Sequence, residues 1–395
     1  MTERTKNLAL FAVVLVIVDL VAAQAYNRIV LAPPPEPVRT PSPVYHHDLR
    51  KNVDSWSRWG LVRYPLRTNN LGFRDERVRE VPFCSEGLRL LLVGDSFTEG
   101  IGVAYPETFA GILARELRTQ DVEVLNAGVV SYSPTIYYRK TRYLLEDLGL
   151  DIDMLVVFLD GSDIPDEAWL DRYGRVRVTL EEKGTSATTS RRPPFEQLKH
   201  VLQQHSLIMK AAATLRLVVQ ERLDEKRRRD RLALDARGVA WDYDPEAYRD
   251  YGEQGLRRAA VYMDSLLALS RAHELPMAVA VYPWPDHIYR RMLDSRQRTF
   301  WRTWSSRRGI PFFDLFPAFI GGRDPEKTIR DYHVPYDSHW NTAGHRRVAG
   351  AVLEAGLTEF IEETRSRWPE GRPSGSCPQS SSNRSVTRAV EPAPR

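Results

Sequence analysis

The feature that most constrains the fold of this chain is an alternation. Short runs of unbroken apolar residues take turns with stretches of helical periodicity. The apolar runs fall at 88–93, 122–129, 154–159, 277–282 and 311–316, and the helical patterns at 108–117, 135–148, 256–273, 293–307 and 342–363. A strand that is apolar on successive residues has both faces buried, so layers must cover the sheet above and below. Helices between such strands are the crossovers that parallel pairing requires. The expectation is a parallel sheet covered on both faces, with any site formed at the carboxyl ends of its strands.

Three of those ends carry polar chemistry. The first run stops at Gly94-Asp95-Ser96, the second at Asn126-Ala127-Gly128 and the third at Asp160-Gly161-Ser162-Asp163. Far along the chain stands Asp337-Ser338-His339-Trp340-Asn341. A serine hydroxyl is a poor nucleophile until a base takes its proton, and the base needs an acid to orient it. Ser96 as nucleophile, His339 as base and Asp337 as acid supply those parts, with Asp331 as a second candidate acid. Asn341 is expected to order the loop carrying His339, and His345 to cap or pack. Asp95 reads as a structural hydrogen-bonding acid. The acidic group Asp160, Asp163, Asp166 and Glu167 reads as solvated or bound to backbone N–H groups, and no metal or other cofactor is called for.

With these motifs, residues 68–363, apart from an insertion at 165–255, resemble the SGNH/GDSL hydrolase superfamily. Gly94-Asp95-Ser96-Phe97 looks like its nucleophile block and Gly128 like its glycine block. Gly161-Ser162-Asp163 stands where that family has Gly-x-Asn-Asp or Gly-Asn-Asp, and Asp337-Ser338-His339 where it has Asp-x-x-His. The resemblance implies a flavodoxin-like three-layer α/β/α sandwich and hydrolysis or transfer of ester-linked acyl groups. It also implies an oxyanion hole of Ser96, Gly128 and Ser162, with Asp163 in support. In two places the sequence departs from the pattern. Ser162 replaces an asparagine donor, and Asp337 lies one residue closer to His339.

The remaining segments bound the setting. Arg4 and Lys6 precede an apolar stretch broken by Asp19, so residues 1–30 read as a signal anchor or as a signal peptide cut after Ala23-Gln24-Ala25. Either sends the domain out of the cytoplasm, to the periplasm or beyond the cell. Residues 31–67 read as a Pro-rich linker and lead-in, 68–365 as the hydrolase-like domain, 165–255 as an inserted helical arm or lid, and 366–395 as a disordered tail. A net charge of +4 on 395 residues is small. With no zinc-finger spacing or aromatic RNA motif beside it, nucleic acid is not an expected partner. The two cysteines, Cys84 and Cys377, read as free thiols. The expected substrate is an acylated small molecule or polysaccharide, with Trp284, Trp301, Trp304 and Trp340 available to stack on sugar rings. Three functions fit: a serine esterase, a polysaccharide O-acetyltransferase with the same triad, and a glycan-binding protein with a degraded site.

Overall fold

A computed structural model describes residues 2–29, 38–60, 62–169, 206–221, 225–234, 237–322 and 324–367. Residues 31–37 of the expected linker, 170–205 of the expected arm and the tail beyond 367 lie outside the described residues. The chain opens with α1 (Glu3–Ile29), followed by strands β1 (Arg39–Ser42), β2 (His46–Leu49), β3 (Asp54–Trp59), β4 (Val62–Thr68) and β5 (Arg74–Asp75). Then come β6 (Leu88–Val93), α2 (Ser96–Glu99), α3 (Phe109–Leu117), β7 (Val122–Asn126), α4 (Pro134–Arg142) and β8 (Met154–Leu159). The insertion contributes α5 (Leu207–Glu221), α6 (Glu225–Arg231) and α7 (Ala240–Tyr243). The domain closes with α8 (Glu253–Ala272), β9 (Met277–Val281), α9 (Arg296–Arg308), β10 (Phe312–Asp314), α10 (Pro325–Tyr332), α11 (Thr342–Val352) and α12 (Thr358–Arg365).

The 8-stranded sheet runs in the order β10-β9-β8-β6-β7-β5-β4-β3. From β10 to β7 every pair is parallel, with Leu92 opposite Val156 on one side and Asn126 on the other. Right-handed crossovers put α3 and α11 on one face, where they pack together, and α4 and α8 on the other. The sheet is thus the middle layer of an α/β/α sandwich. Its central strands β6 and β8 are the most deeply buried, as unbroken apolar runs must be. The chain leaves β6 toward β7 and later returns to the other side of β6 as β8. That reversal opens a crevice beyond the end of β6, where Ser96 stands.

Two differences from the sequence reading concern the flanks. From Val38 onward the segment read as linker and lead-in is folded. β5, β4 and β3 extend the sheet antiparallel beyond β7, and β1 and β2 form a separate hairpin. The buried Lys140 ammonium anchors that hairpin. It donates to the Asp48 carboxylate at 2.8 Å, the Tyr132 hydroxyl and the Ala127 carbonyl, an ion pair that fixes register because neither charge can be left alone in the core. Cys84 is disulfide-bonded rather than free, and the chain's other cysteine, Cys377, lies outside the described residues.

Candidate active site

The end of β6 carries Ser96, the expected nucleophile. Asp95 caps α2, its carboxylate accepting from the Phe97 N–H at 3.0 Å. Ser96 therefore becomes the first residue of a helix, and its own N–H has no helical acceptor. Two glycines let the backbone come this close. A Cβ at Gly94 would lie 2.1 Å from Thr98 Oγ1, and one at Gly128 would lie 2.7 Å from Thr98 Cβ and 2.8 Å from the Glu99 nitrogen.

The loop between α10 and α11 carries the expected base, His339, and acid, Asp337. Asn341 caps α11 by accepting from the Gly344 N–H at 2.9 Å, and its amide donates to the Asp331 and His333 carbonyls. His339 is thereby held with Nε2 2.8 Å from Ser96 Oγ and Nδ1 2.5 Å from Asp337 Oδ1. Its ring lies between Phe97 and Trp59, with centroids 4.5 Å and 5.2 Å away. Ser96 is 7% and His339 9% exposed, so the pair is sheltered but reachable. Asp337 collects three donors. The His339 N–H and Nδ1–H reach Oδ1, and Trp59 Nε1 donates to Oδ2 at 2.6 Å. Burial pulls the other way, but the His339 and Trp59 donors hold this carboxyl below its usual value. An ionised carboxylate only accepts, so the imidazole proton sits on Nδ1 and Nε2 is left as a base. The shorter Asp-x-His spacing closes because the Asp337 oxygen also takes the backbone N–H of His339, forming a tight local turn. Asp331 is drawn off by Lys327 at 2.5 Å. His345 accepts from the Phe109 N–H and stacks on that ring, and burial pulls its pKa down to about 3.

The oxyanion side departs from the sequence reading. Both donors of Ser162 turn inward, its N–H and hydroxyl lying 2.7 Å and 2.9 Å from Asp160 Oδ1. The Gly128 N–H is taken by Asn126 Oδ1 at 3.1 Å. Of the expected donors, the Ser96 N–H is thus the one without an internal acceptor. The acidic group is buried, not solvated. Asp160 also accepts from Trp284 Nε1 and the Asp163 N–H, and Asp163 accepts from the Asp160 N–H and the Tyr137 hydroxyl. Burial and the neighbouring Asp160 push the Asp95 and Asp163 carboxyls well above the usual range, and Asp166 up to about 7. Asp95 Oδ2 lies 3.2 Å from Ser96 Oγ, which makes it a second partner of the nucleophile. Glu167 serves structure, accepting from Ser133, from the N–H and hydroxyl of Thr135, and pairing with Arg258.

Trp284, Trp301, Trp304 and Trp340 are all buried and offer no open ring face for a sugar. A tryptophan that does reach the site is Trp59, which sequence reasoning missed because its partner Asp337 is 278 positions away. The insertion ends over the site. Val239 Cγ1 lies 2.2 Å from where a Gly161 Cβ would stand, and Gly238 packs against Trp284 and Ser162.

No family model matches this chain, and no curated protein does either. Among solved structures it is similar to TesA, at 13% identity with a TM-score of 0.39, over 68% of this chain and 98% of that one. It is similar to a catalytic mutant of Axe2, an acetylxylan esterase from Geobacillus stearothermophilus, at 13% identity and TM-score 0.36 over 69% and 96%. A GDSL-like lipase from Bacteroides thetaiotaomicron matches at 11% identity and TM-score 0.35 over 72% and 93%. Likeness at this level assigns no chemistry; the geometry around Ser96 has to do so.

Proposed function

We propose that this chain is a serine ester hydrolase of the SGNH/GDSL type that removes acyl groups, acetyl foremost, from an ester or glycan outside the cytoplasm. The unbroken relay from Ser96 Oγ through His339 to Asp337 carries this reading. His339 Nε2 takes the Ser96 proton as Oγ attacks the ester carbonyl. The Ser96 N–H donates to the oxyanion, and the Gly128 N–H joins it when Asn126 yields. The imidazolium, steadied by Asp337, then protonates the leaving alkoxide. Water attacks the acyl-serine by the same steps in reverse, returning the serine and a free acid.

The setting supports a place outside the cytoplasm. α1 exposes nearly its whole apolar surface, with a mean hydropathy of 2.5 over its best window, as a membrane anchor would. The Cys84 disulfide suits an oxidising compartment. A second reading, transfer of the acyl group to a polysaccharide hydroxyl, uses the same relay with a sugar oxygen in place of water. The ordered triad counts against a degraded binding site. The deciding experiment is turnover of p-nitrophenyl acetate by the full chain beside Ser96→Ala and His339→Ala. Each change is expected to lower kcat by about 10³-fold or more. A folded parent protein with no turnover of this ester or of acetylated glycan would overturn the assignment. Acetyl transfer to added oligosaccharide in excess of hydrolysis would decide for the second reading.

A further inference from the structure

Asp19 is the anomaly of α1, a carboxylate in the middle of an otherwise apolar stretch, and the structure gives it a partner from far along the chain. The N–H of Ile208, in the first turn of α5, donates to Asp19 Oδ1 at 2.9 Å, and the Ser206 hydroxyl and Leu207 N–H also bear on that carboxylate. Ser206 caps α5 as well, accepting from the Met209 N–H at 3.0 Å. Beside this junction Ala23 is fully buried and Ala22 partly so. Small residues of this kind let two helices approach closely where no water drives them together. From the junction both helices lead to the folded domain, α1 into β1 and α5 into α6.

Among the described residues, nothing covers the outward face of α5. Ile208, Leu215 and Val219 are 53%, 66% and 53% exposed, and Ala212 is exposed with them. The spacing 208, 212, 215, 219 places all four on one stripe of the helix. The helix it joins, α1, is bare in the same way, with Val16, Val18 and Val21 likewise exposed. Charge gathers at the other end, in Glu225–Arg231, where Arg228 pairs with Glu326 and the Arg231 carbonyl accepts from the Tyr336 N–H at 2.9 Å. Arg216, an exposed cation within α5, has a stem long enough to reach a headgroup layer.

We propose that α1 and α5 form one membrane-embedded helix pair, joined by the Asp19 carboxylate on the amino end of α5, and that lipid acyl chains cover the outward stripe of α5. A carboxylate and a set of free helix N–H groups are each costly in hydrocarbon, and joining them removes both costs. The arginine-rich α6 then lies at the level of anionic headgroups, which attract its cations. Because α6 is hydrogen-bonded to the residue before Asp337, the helix pair sets the triad close to the bilayer surface. The inference rests on the membrane-anchor reading of α1 and is independent of the chemistry at Ser96.

The test uses the full-length protein in liposomes of phosphatidylcholine with phosphatidylglycerol. Environment-sensitive dyes are placed on Leu215→Cys, on Leu15→Cys in α1 and on Val261→Cys in α8, with labelling of the unsubstituted protein subtracted. Quenching by lipids spin-labelled on the acyl chain should be within about twofold for Leu215→Cys and Leu15→Cys, and absent for Val261→Cys. Quenching at Leu15→Cys with an aqueous Leu215→Cys would overturn the proposal while leaving the anchor in place. Aqueous signals at both would overturn the anchor and the proposal together, whatever the ester turnover. Adding Asp19→Leu should lower quenching at Leu215→Cys at least threefold and spare Leu15→Cys. Unchanged quenching there would overturn the role of Asp19 in joining the helix pair.

Discussion

Asp337→Asn is the sharpest probe of the relay. Three N–H donors converge on this carboxylate: the backbone and Nδ1 of His339 on one oxygen and Trp59 Nε1 on the other. An asparagine of the same shape has one acceptor oxygen and an NH₂ group in place of the second. If the amide oxygen faces His339, the NH₂ meets the Trp59 donor head-on. If it faces Trp59, the NH₂ meets two His339 donors, and relief comes by moving the imidazole proton to Nε2. That tautomer cannot accept the Ser96 proton. The charge that steadies the imidazolium is lost in either case. Loss of the correct tautomer in a serine triad costs about 10⁴ in kcat, or roughly 5 kcal/mol of barrier. We expect Asp337→Asn to lower kcat for p-nitrophenyl acetate by about that factor, with KM nearly unchanged and circular dichroism matching the parent. Asp331→Asn, which loses an exposed pair with Lys327, should stay within about twofold. A folded Asp337→Asn protein retaining a tenth of the parent kcat would refute the reasoning.

Three further outcomes follow from the same geometry. Ser162→Ala should lower kcat by less than about threefold, because its hydroxyl serves Asp160; a loss of about 10²-fold or more would mean that Ser162 swings to the oxyanion in the transition state. Gly128→Ala forces a Cβ against Thr98 and the Glu99 nitrogen and should cost about 1–3 kcal/mol in urea unfolding, with a marked loss of kcat. His333 is buried with both ring nitrogens unpartnered, and burial pulls its pKa to about 3 from the usual 6.5. The unfolded chain binds the proton that the folded one refuses, so this residue's contribution falls as pH drops from about 6.5 toward 3, by about 2 kcal/mol at pH 5. His333→Phe should therefore flatten the decline of unfolding free energy between pH 7 and pH 5 by that amount, and an unchanged slope would disprove the neutral, buried state.

The parallel half of the sheet was legible because burial on both faces leaves a one-line signature, as in Leu90-Leu91-Leu92-Val93. Ser96, His339 and Asp337 were legible because their motifs interrupt strand ends or stand in a short polar cluster. The extension β3–β5 was not. Asp54-Ser55-Trp56-Ser57-Arg58-Trp59 has four polar residues in six, and Pro65 inside β4 speaks against a strand. Those strands form because β5 pairs with β7, β4 with β5 and β3 with β4, and that is a tertiary fact. Ser162 turned away from the hole for a similar reason. Asp160, fully enclosed, needs every donor within reach, and a hydroxyl one bond from the backbone is nearest. Burial of the four tryptophans depends on how α9, the loop after β9 and the loop before α11 pack, which their spacing alone does not encode.

The separation of 243 residues between Ser96 and His339 has a consequence in time. Ribosomes add about 5–20 residues each second, so some 10–50 s pass between the making of the nucleophile and the making of its base. During that interval the emerging chain holds a serine with nothing to deprotonate it, and the Trp59 indole waits for a carboxylate that does not yet exist. Catalytic power arrives late, when the stretch around 337–341 docks against parts made long before. A chain broken off anywhere in between would be inert toward the acyl esters around it.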